Sequence, residues 1–345
     1  MLRLVYDSLV IAVSAPRAPL AWLSEFLSGP FAPAPPGAPP ASALALALDA
    51  SPPGAGGPEI DAFTRDGGFK RLRSRRDPDG SLVLLDAAVR YVLRGTEVTV
   101  LAESDGPPAR LGLLRAAREI ATTHALRLGR LHLHAAAADL HGHVVAIAGP
   151  RRSGKTTLLL HALLAGGARY VTNDRLFVGE VARGMPTIVT LRDETLVRFP
   201  EFATQVRASG YSRHLSIAEA KAGTAGGPSL SPAQLCALAG AEPVPAGRLG
   251  AVLFPRLAPG VARFELRPLP PRDAAARLRT SLFLAGVPER TAAAFDPTGW
   301  SRDGAALDRR CAELAATVPC ADVLLGAGAY EGKPTIWDAI AERLA

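Results

Sequence analysis

Residues 149 to 157 read Gly149-Pro150-Arg151-Arg152-Ser153-Gly154-Lys155-Thr156-Thr157. A glycine, four residues and then Gly-Lys-Thr is the spacing of a loop that binds phosphate groups. Gly149 and Gly154 let the backbone turn and aim its N–H groups inward, where a side chain would block a phosphate. Lys155 brings a point charge to the β- and γ-phosphates of a nucleotide, and the Thr156 hydroxyl can ligate Mg²⁺. Arg151 and Arg152 can add charge to the same anion or stay solvated. Lysine is scarce in this chain, with 4 among 39 Lys and Arg, so a lysine at this position is not compositional background.

Such a loop works only between a strand and a helix. The apolar run Val144 to Ala148 leads into it, and the leucine-rich stretch Leu158 to Leu164 leaves it. The helix then brings its positive end to the loop. Gly166-Gly167 closes that helix. Arg169 to Thr172 reads as the next strand, running into Asn173-Asp174. An acid at the end of the strand beside the loop strand can hold Mg²⁺ or accept a proton from an attacking hydroxyl, and Asp174 is the candidate.

Over His134 to Asp174 the chain resembles the catalytic core of HPr kinase/phosphorylase and its HprK-like relatives. His134 stands fifteen residues before Gly149, at the start of a strand. The loop, a short helix, a glycine turn and a strand ending in Asn173-Asp174, where the family has a carboxylate pair, follow in the family's order. The C-terminal part, with a strand ending Phe254-Pro255, a helix rich in Leu and Phe and then Val318-Pro319-Cys320, is similar to the shorter HprK-like kinases found near peptide-modification pathways. The resemblance implies an α/β P-loop kinase domain of HPr kinase/phosphoenolpyruvate carboxykinase type. Its sheet would be mixed, flanked by helices, and preceded by a small β-rich N-terminal unit.

The implied activity is Mg²⁺-dependent transfer of a γ-phosphoryl group from ATP or GTP to a serine or similar hydroxyl of a peptide or protein. A small-molecule hydroxyl is an alternative acceptor. In this picture the loop residues 149 to 157 bind the nucleotide, Thr156 and Asp174 hold the metal, and His134, Asp174 and Lys155 are catalytic. One position departs from the family. Asn173 occupies the place of the first of two aspartates, so one carboxylate is missing. A nucleotide-binding regulatory module without phosphotransfer therefore stands as a rival. HPr kinases assemble as hexamers, which puts a homo-oligomer among the implied partners.

The rest of the chain sets bounds. At 345 residues, 48% apolar and 21% charged, it has room for one large domain or two ordinary ones. The formal charge of +7 suits an anionic partner, and nucleotide phosphate satisfies it. Lys70 to Arg76 is a basic cluster beside an Asp-Pro-Asp-Gly turn and reads as a solvated hairpin end, so no nucleic-acid partner is expected. Cys236, Cys311 and Cys320 lack metal or disulfide spacing and read as thiols in a reducing compartment. No apolar run reaches the ~18 residues of a membrane span, and no signal peptide is evident, so a cytoplasmic location is expected.

Residues 1–110 read as the β-rich unit. Residues 1 to 14 form a first strand there, and Phe69 to Leu72, Leu82 to Leu85, Val89 to Leu93 and Val98 to Leu101 are antiparallel strands. Residues 111–345 read as the kinase domain. It opens with a helix over Leu111 to Leu128 and a strand pair over Arg130 to Leu140. A polar, glycine-rich lid follows over Ala203 to Pro228, with Ile188-Val189 and Leu196-Val197 as further pairing segments.

Overall fold

The structure is a computed structural model that describes residues 1–51, 56–65, 68–211, 227–284, 295, 304–333 and 335–344. The chain adopts a mixed α/β fold with several sheets and helices. It divides into two compact units. The first holds Met1–Arg130 with Gly286–Asp303, and the second holds Leu131–Ala285 with Gly304–Ala345.

The first unit contains strands β1 (Leu2–Tyr6), β2 (Leu9–Ser14), β3 (Ala32–Pro33), β4 (Ser42–Leu48), β5 (Glu59–Arg65), β6 (Gly68–Arg76), β7 (Leu82–Asp86), β8 (Val89–Arg94) and β9 (Glu97–Ala102). They form one sheet in the order β3-β1-β2-β4-β9-β8-β7-β6-β5, in which β5 to β9 are an antiparallel meander. Among the described residues two helices accompany it, α1 (Arg17–Leu27) and α2 (Pro107–Arg127). The opening residues are a hairpin rather than one strand. Asp7 turns the chain in a left-handed conformation at φ 58°, which a short polar side chain tolerates. Helix α2 lies against β4 and β9, so it goes with the first sheet although residue 110 is the boundary expected from sequence. A Cβ on Gly112 would come within 2.8 Å of Val100, so the missing side chain lets α2 sit close to β9.

The second unit contains β10 (Leu131–Leu140), β11 (His143–Ala148), β12 (Arg169–Thr172), β13 (Arg175–Val178), β14 (Ala182–Met185), β15 (Val189–Thr190), β16 (Ser229–Leu230), β17 (Ala246–Leu257), β18 (Phe264–Pro268) and β19 (Cys320–Leu325). Its helices are α3 (Lys155–Ala165), α4 (Asp193–Leu196), α5 (Pro200–Ser209), α6 (Pro232–Ala239), α7 (Pro271–Thr280), α8 (Gly304–Thr317) and α9 (Ile336–Leu344). Strands β11, β17 and β19 run parallel, and β10 and β18 run against them. The stretch expected as a strand pair at 130–140 is one ten-residue strand. Its first half pairs with β13 and its second half with β11 and β12. All ten of its residues are buried, as expected for a strand covered on both faces.

Alternation along β10 shows the two covers. Ala136, Ala138 and Leu140 join Val145 and Ile147 of β11 against Leu158, Leu159 and Leu163 of α3, with α5, α6 and α9 in the same layer. Leu133, Ala135 and Ala137 join Ala146 and Ala148 against Ala274 and Leu278 of α7 and Cys311 of α8. Small alanines line the central strands, so the helices approach closely on both sides.

Two further expectations differ from the structure. Leu196 ends helix α4 instead of extending a strand, while Val189 does pair, with Leu230. Asp193 and Glu194 start that helix with acids at its positive end. The front of the expected lid is helix α5, which buries Phe202, Ala203 and Val206. The remainder, 212–226 with Arg213 and His214, lies outside the described residues.

Candidate functional site

Strand β11 ends at Ala148 and the chain enters the Gly149–Gly154 loop before α3. Gly149 has φ 145° and Gly154 has φ 100°, both in the region that favours glycine, and Arg152 shares it at φ 66°. A Cβ on Gly149 would lie 3.0 Å from the Ser153 Oγ, a tight contact from which the Ser153 side chain would have to shift. Ser153 Oγ is itself buried and makes no hydrogen bond among the described residues. Lys155, only 7% exposed, folds back across the loop and donates from Nζ to the carbonyls of Gly149 at 2.6 Å and Pro150 at 2.9 Å. Arg151 and Arg152 are exposed. Thr156 is half-buried in the first turn of α3, a turn that holds no acid to oppose an anion. The Thr157 hydroxyl lies 2.9 Å from that of Thr195, so this candidate ligand is joined to α4.

Strand register supplies the rest of the site. Ala135 pairs with Ala148, so His134 is the residue of β10 that comes level with the start of the loop. His134 also pairs with Arg175, and the Ala135 N–H donates to the Asp174 carbonyl at 3.0 Å. Asp174 therefore sits in the bend between β12 and β13, beside His134. The two side chains meet, with His134 Nε2 3.1 Å from Asp174 Oδ1. His134 is 9% exposed at its side chain and Asp174 is 36% exposed, so the pair presents its carboxylate rather than its ring to solvent. The His134 main chain is fixed by its N–H bond to Ser281, and Phe283 stands edge-on to the ring. Arg175 lies over the same Phe283 at 4.4 Å.

Asn173 has a different surrounding. Its Oδ1 accepts from the Tyr170 hydroxyl and the Thr187 hydroxyl, each at 2.8 Å, and its Nδ2 donates to the Ile188 carbonyl at 3.3 Å. An amide suits that setting because it offers a donor and an acceptor, which a carboxylate cannot. The two neighbouring positions thus divide the work, with Asn173 holding the bend together and Asp174 facing His134.

The arrangement brings His134 and Asp174 into direct contact and places the Gly149–Gly154 loop at the same edge of the sheet. Thr156 and Asp174 offer oxygen donors of the kind Mg²⁺ takes, usually alongside water and substrate phosphate. Among the described residues no group of three or more His, Cys, Asp or Glu gathers at one point. Of the other histidines, His132 is stacked between Phe177 and Phe283 at 4.3 and 4.4 Å, and His161, a residue of α3, is buried.

Tyr330 escaped the sequence reading. A Cβ on Gly154 would lie 4.0 Å from its hydroxyl, so the phenol stands at the loop. Burial pushes its pKa up to about 12, and it remains a hydrogen-bond donor at neutral pH. Nothing local marks it, because the segment after β19 reaches the loop only through the fold. Asp322 was also missed. It is an acid in the otherwise apolar run Cys320-Ala321-Asp322-Val323-Leu324-Leu325, and that interruption is a visible signal. No protein-family model matches the sequence, and no curated protein matches it.

Proposed function

We propose that the protein transfers the γ-phosphoryl group of a nucleoside triphosphate, ATP or GTP, to a hydroxyl group of a peptide, protein or small molecule. The observation that carries this reading is the 3.1 Å contact between His134 and Asp174, beside the strand that feeds a glycine-turned loop followed by Lys155. The loop amides and the start of α3 would cradle the phosphates, and Lys155 would exchange its loop carbonyls for phosphate oxygens. The acceptor oxygen attacks the γ-phosphorus, the bond to the β,γ-bridging oxygen breaks, and the nucleoside diphosphate leaves. The acceptor's proton passes to the Asp174 carboxylate, which His134 orients. Mg²⁺ would neutralise phosphate charge, held on the protein side by Thr156 and Asp174.

The test is phosphotransfer by the purified chain to hydroxyl-bearing peptides and small polyols, beside Lys155→Ala and Asp174→Ala. Loss of Lys155 or Asp174 is expected to lower kcat/KM at least ~100-fold, the scale of a removed charge-stabilising or proton-accepting group. Equal turnover in all three proteins would end the proposal. Asn173 supports a second reading, regulated nucleotide binding without transfer, because its site holds an amide where a second carboxylate would be needed. That reading predicts nucleotide binding by calorimetry with no acceptor-dependent release of diphosphate.

A further inference from the structure

Two strands from the loop strand, on the α7 side of the sheet, lies an acid between two arginines. Register fixes its height. Ile147 pairs with Leu253, and Phe254 pairs with Asp322, so Asp322 stands level with Ala148, the residue before the loop. Arg256 is two residues further along β17, past the end of β11. Arg277 reaches the same point from α7, one turn before Ser281, whose carbonyl accepts the His134 N–H. Arg277 and Asp322 thus belong to the edge of the sheet that carries His134 and the loop.

The chemistry of the cluster is unbalanced. Asp322 is 7% exposed. Its Oδ2 lies 3.4 Å from an Arg277 amine and 3.9 Å from Arg256 Nε. Its Oδ1 is buried and has no hydrogen-bond partner among the described residues. A leucine would serve the packing of this apolar strand, so a carboxylate with one unmatched oxygen is a cost that packing does not repay. It does hold two guanidinium groups side by side. Each of these offers five N–H donors in a planar fork, and each side chain stays about half exposed, at 53% for Arg256 and 48% for Arg277. The cluster keeps one net positive charge and most of its donors unused by Asp322. Paired forks of this kind match a carboxylate or a phosphate.

We infer that Arg256 and Arg277, set in place by Asp322, bind an oxyanion on the acceptor, so that the acceptor is a hydroxyl compound that also carries a carboxylate or phosphate. This inference rests on the phosphotransfer reading for the word acceptor, but its test does not require turnover. Binding of D-glycerate, glycerol 3-phosphate and glycerol to the full chain is measured by NMR titration, together with ADP binding. Glycerate and glycerol 3-phosphate share hydroxyls with glycerol and separate the two oxyanions from each other.

At least one anion is expected to bind ten or more times more tightly than glycerol. Arg256→Gln and Arg277→Gln should each remove about tenfold or more of that preference, as loss of a charge-assisted pair does. Asp322→Asn should weaken the anion and leave glycerol and ADP unchanged, which a merely structural fault would not. Arg248→Gln, an equal loss of charge at the opposite end of β17, where Arg248 pairs with His143, should bind as the wild type does. The inference fails if neither anion binds, if glycerol binds equally, if Arg248→Gln has the same effect, or if the arginine variants lose ADP instead. Anion binding without any phosphotransfer would keep the subsite and overturn the kinase reading.

Discussion

Asn173 and Asp174 are neighbours with the same acceptor oxygen chemistry and opposite surroundings. Asn173 takes two hydroxyl donors and gives one N–H to a carbonyl, all within the bend after β12. Replacing it by aspartate would retain the two accepted bonds. It would also face a carboxylate oxygen towards the Ile188 carbonyl. Asn173→Asp is therefore expected to destabilise the fold by about 1–3 kcal/mol, the cost of an unsatisfied buried group, read as a lower urea midpoint. An unchanged midpoint would show that the bend does not depend on the amide. At the loop, Gly154→Ala forces a side chain onto φ 100° and into Leu325 at 3.2 Å. Nucleotide affinity should fall by at least ~10-fold in calorimetry, because the backbone donors can no longer hold the inward turn.

His161 gives the fold a pH dependence. Burial of this α3 side chain lowers its pKa from the usual 6.5, outweighing the opposing pull of Asp338. The unfolded chain therefore binds more protons than the folded one in mildly acid solution. The stability held by the neutral ring is present above about pH 6.5 and is lost as pH falls through the lower folded value. His161→Phe keeps the ring packing against Phe199 and Tyr330 and removes the titration. The difference in urea midpoint between pH 7 and pH 5 should shrink in that variant, and a difference equal to that of the wild type would exclude the histidine as its source.

Among the elements, β14 carries the clearest constraint. A Cβ on Gly184 would lie 2.2 Å from the Val171 carbonyl oxygen of β12, a backbone atom that cannot swing aside. The absence of a side chain lets β14 pass against the strand that leads to Asp174. Gly184→Ala is expected to cost about 1–3 kcal/mol, typical of forced overpacking, and to displace the β12–β13 bend. The combined readout is a lower melting temperature together with weaker phosphotransfer than that fall alone explains. Full activity and stability would mean that β12 and β14 can separate freely. The strand–loop–helix around Gly149 was legible because every part of it is local. The apolar run, the glycines and the leucines each signal their own geometry. The hairpin at Asp7 was less legible, since the apolar positions on either side of it continue without a glycine or proline to mark the turn.

Across the whole molecule, the β-rich beginning and the α/β remainder were both readable as classes, from short alternating strands with turn residues and from the loop's surroundings. Helix α2 was readable as a helix and not as part of the first unit. Its length and apolar residues are local properties, but the sheet it covers is chosen by packing. The three cysteines are buried, and burial pushes Cys236 up to about 12 and Cys311 and Cys320 up to about 11. They therefore stay protonated at neutral pH and are poor nucleophiles. Among the described residues no helix is long and apolar enough to cross a membrane.

By itself the sequence determined the glycine-turned loop at 149–154, the strand before it, the helix after it and the spacing of His134 and Asp174 along the chain. Those are short-range facts, carried by backbone conformations that glycine permits and by periodicity that neighbours impose. Only the tertiary structure decided which side chains meet. Antiparallel register between β10 and β13 put His134 beside Asp174, and the bend turned Asn173 inward to a hydroxyl pair. Parallel register through β17 and β19 raised Asp322 to the level of the loop, 173 residues after Gly149. A strand's height in a sheet depends on partners distant in the chain, and a shift of one residue sends every side chain to the other face.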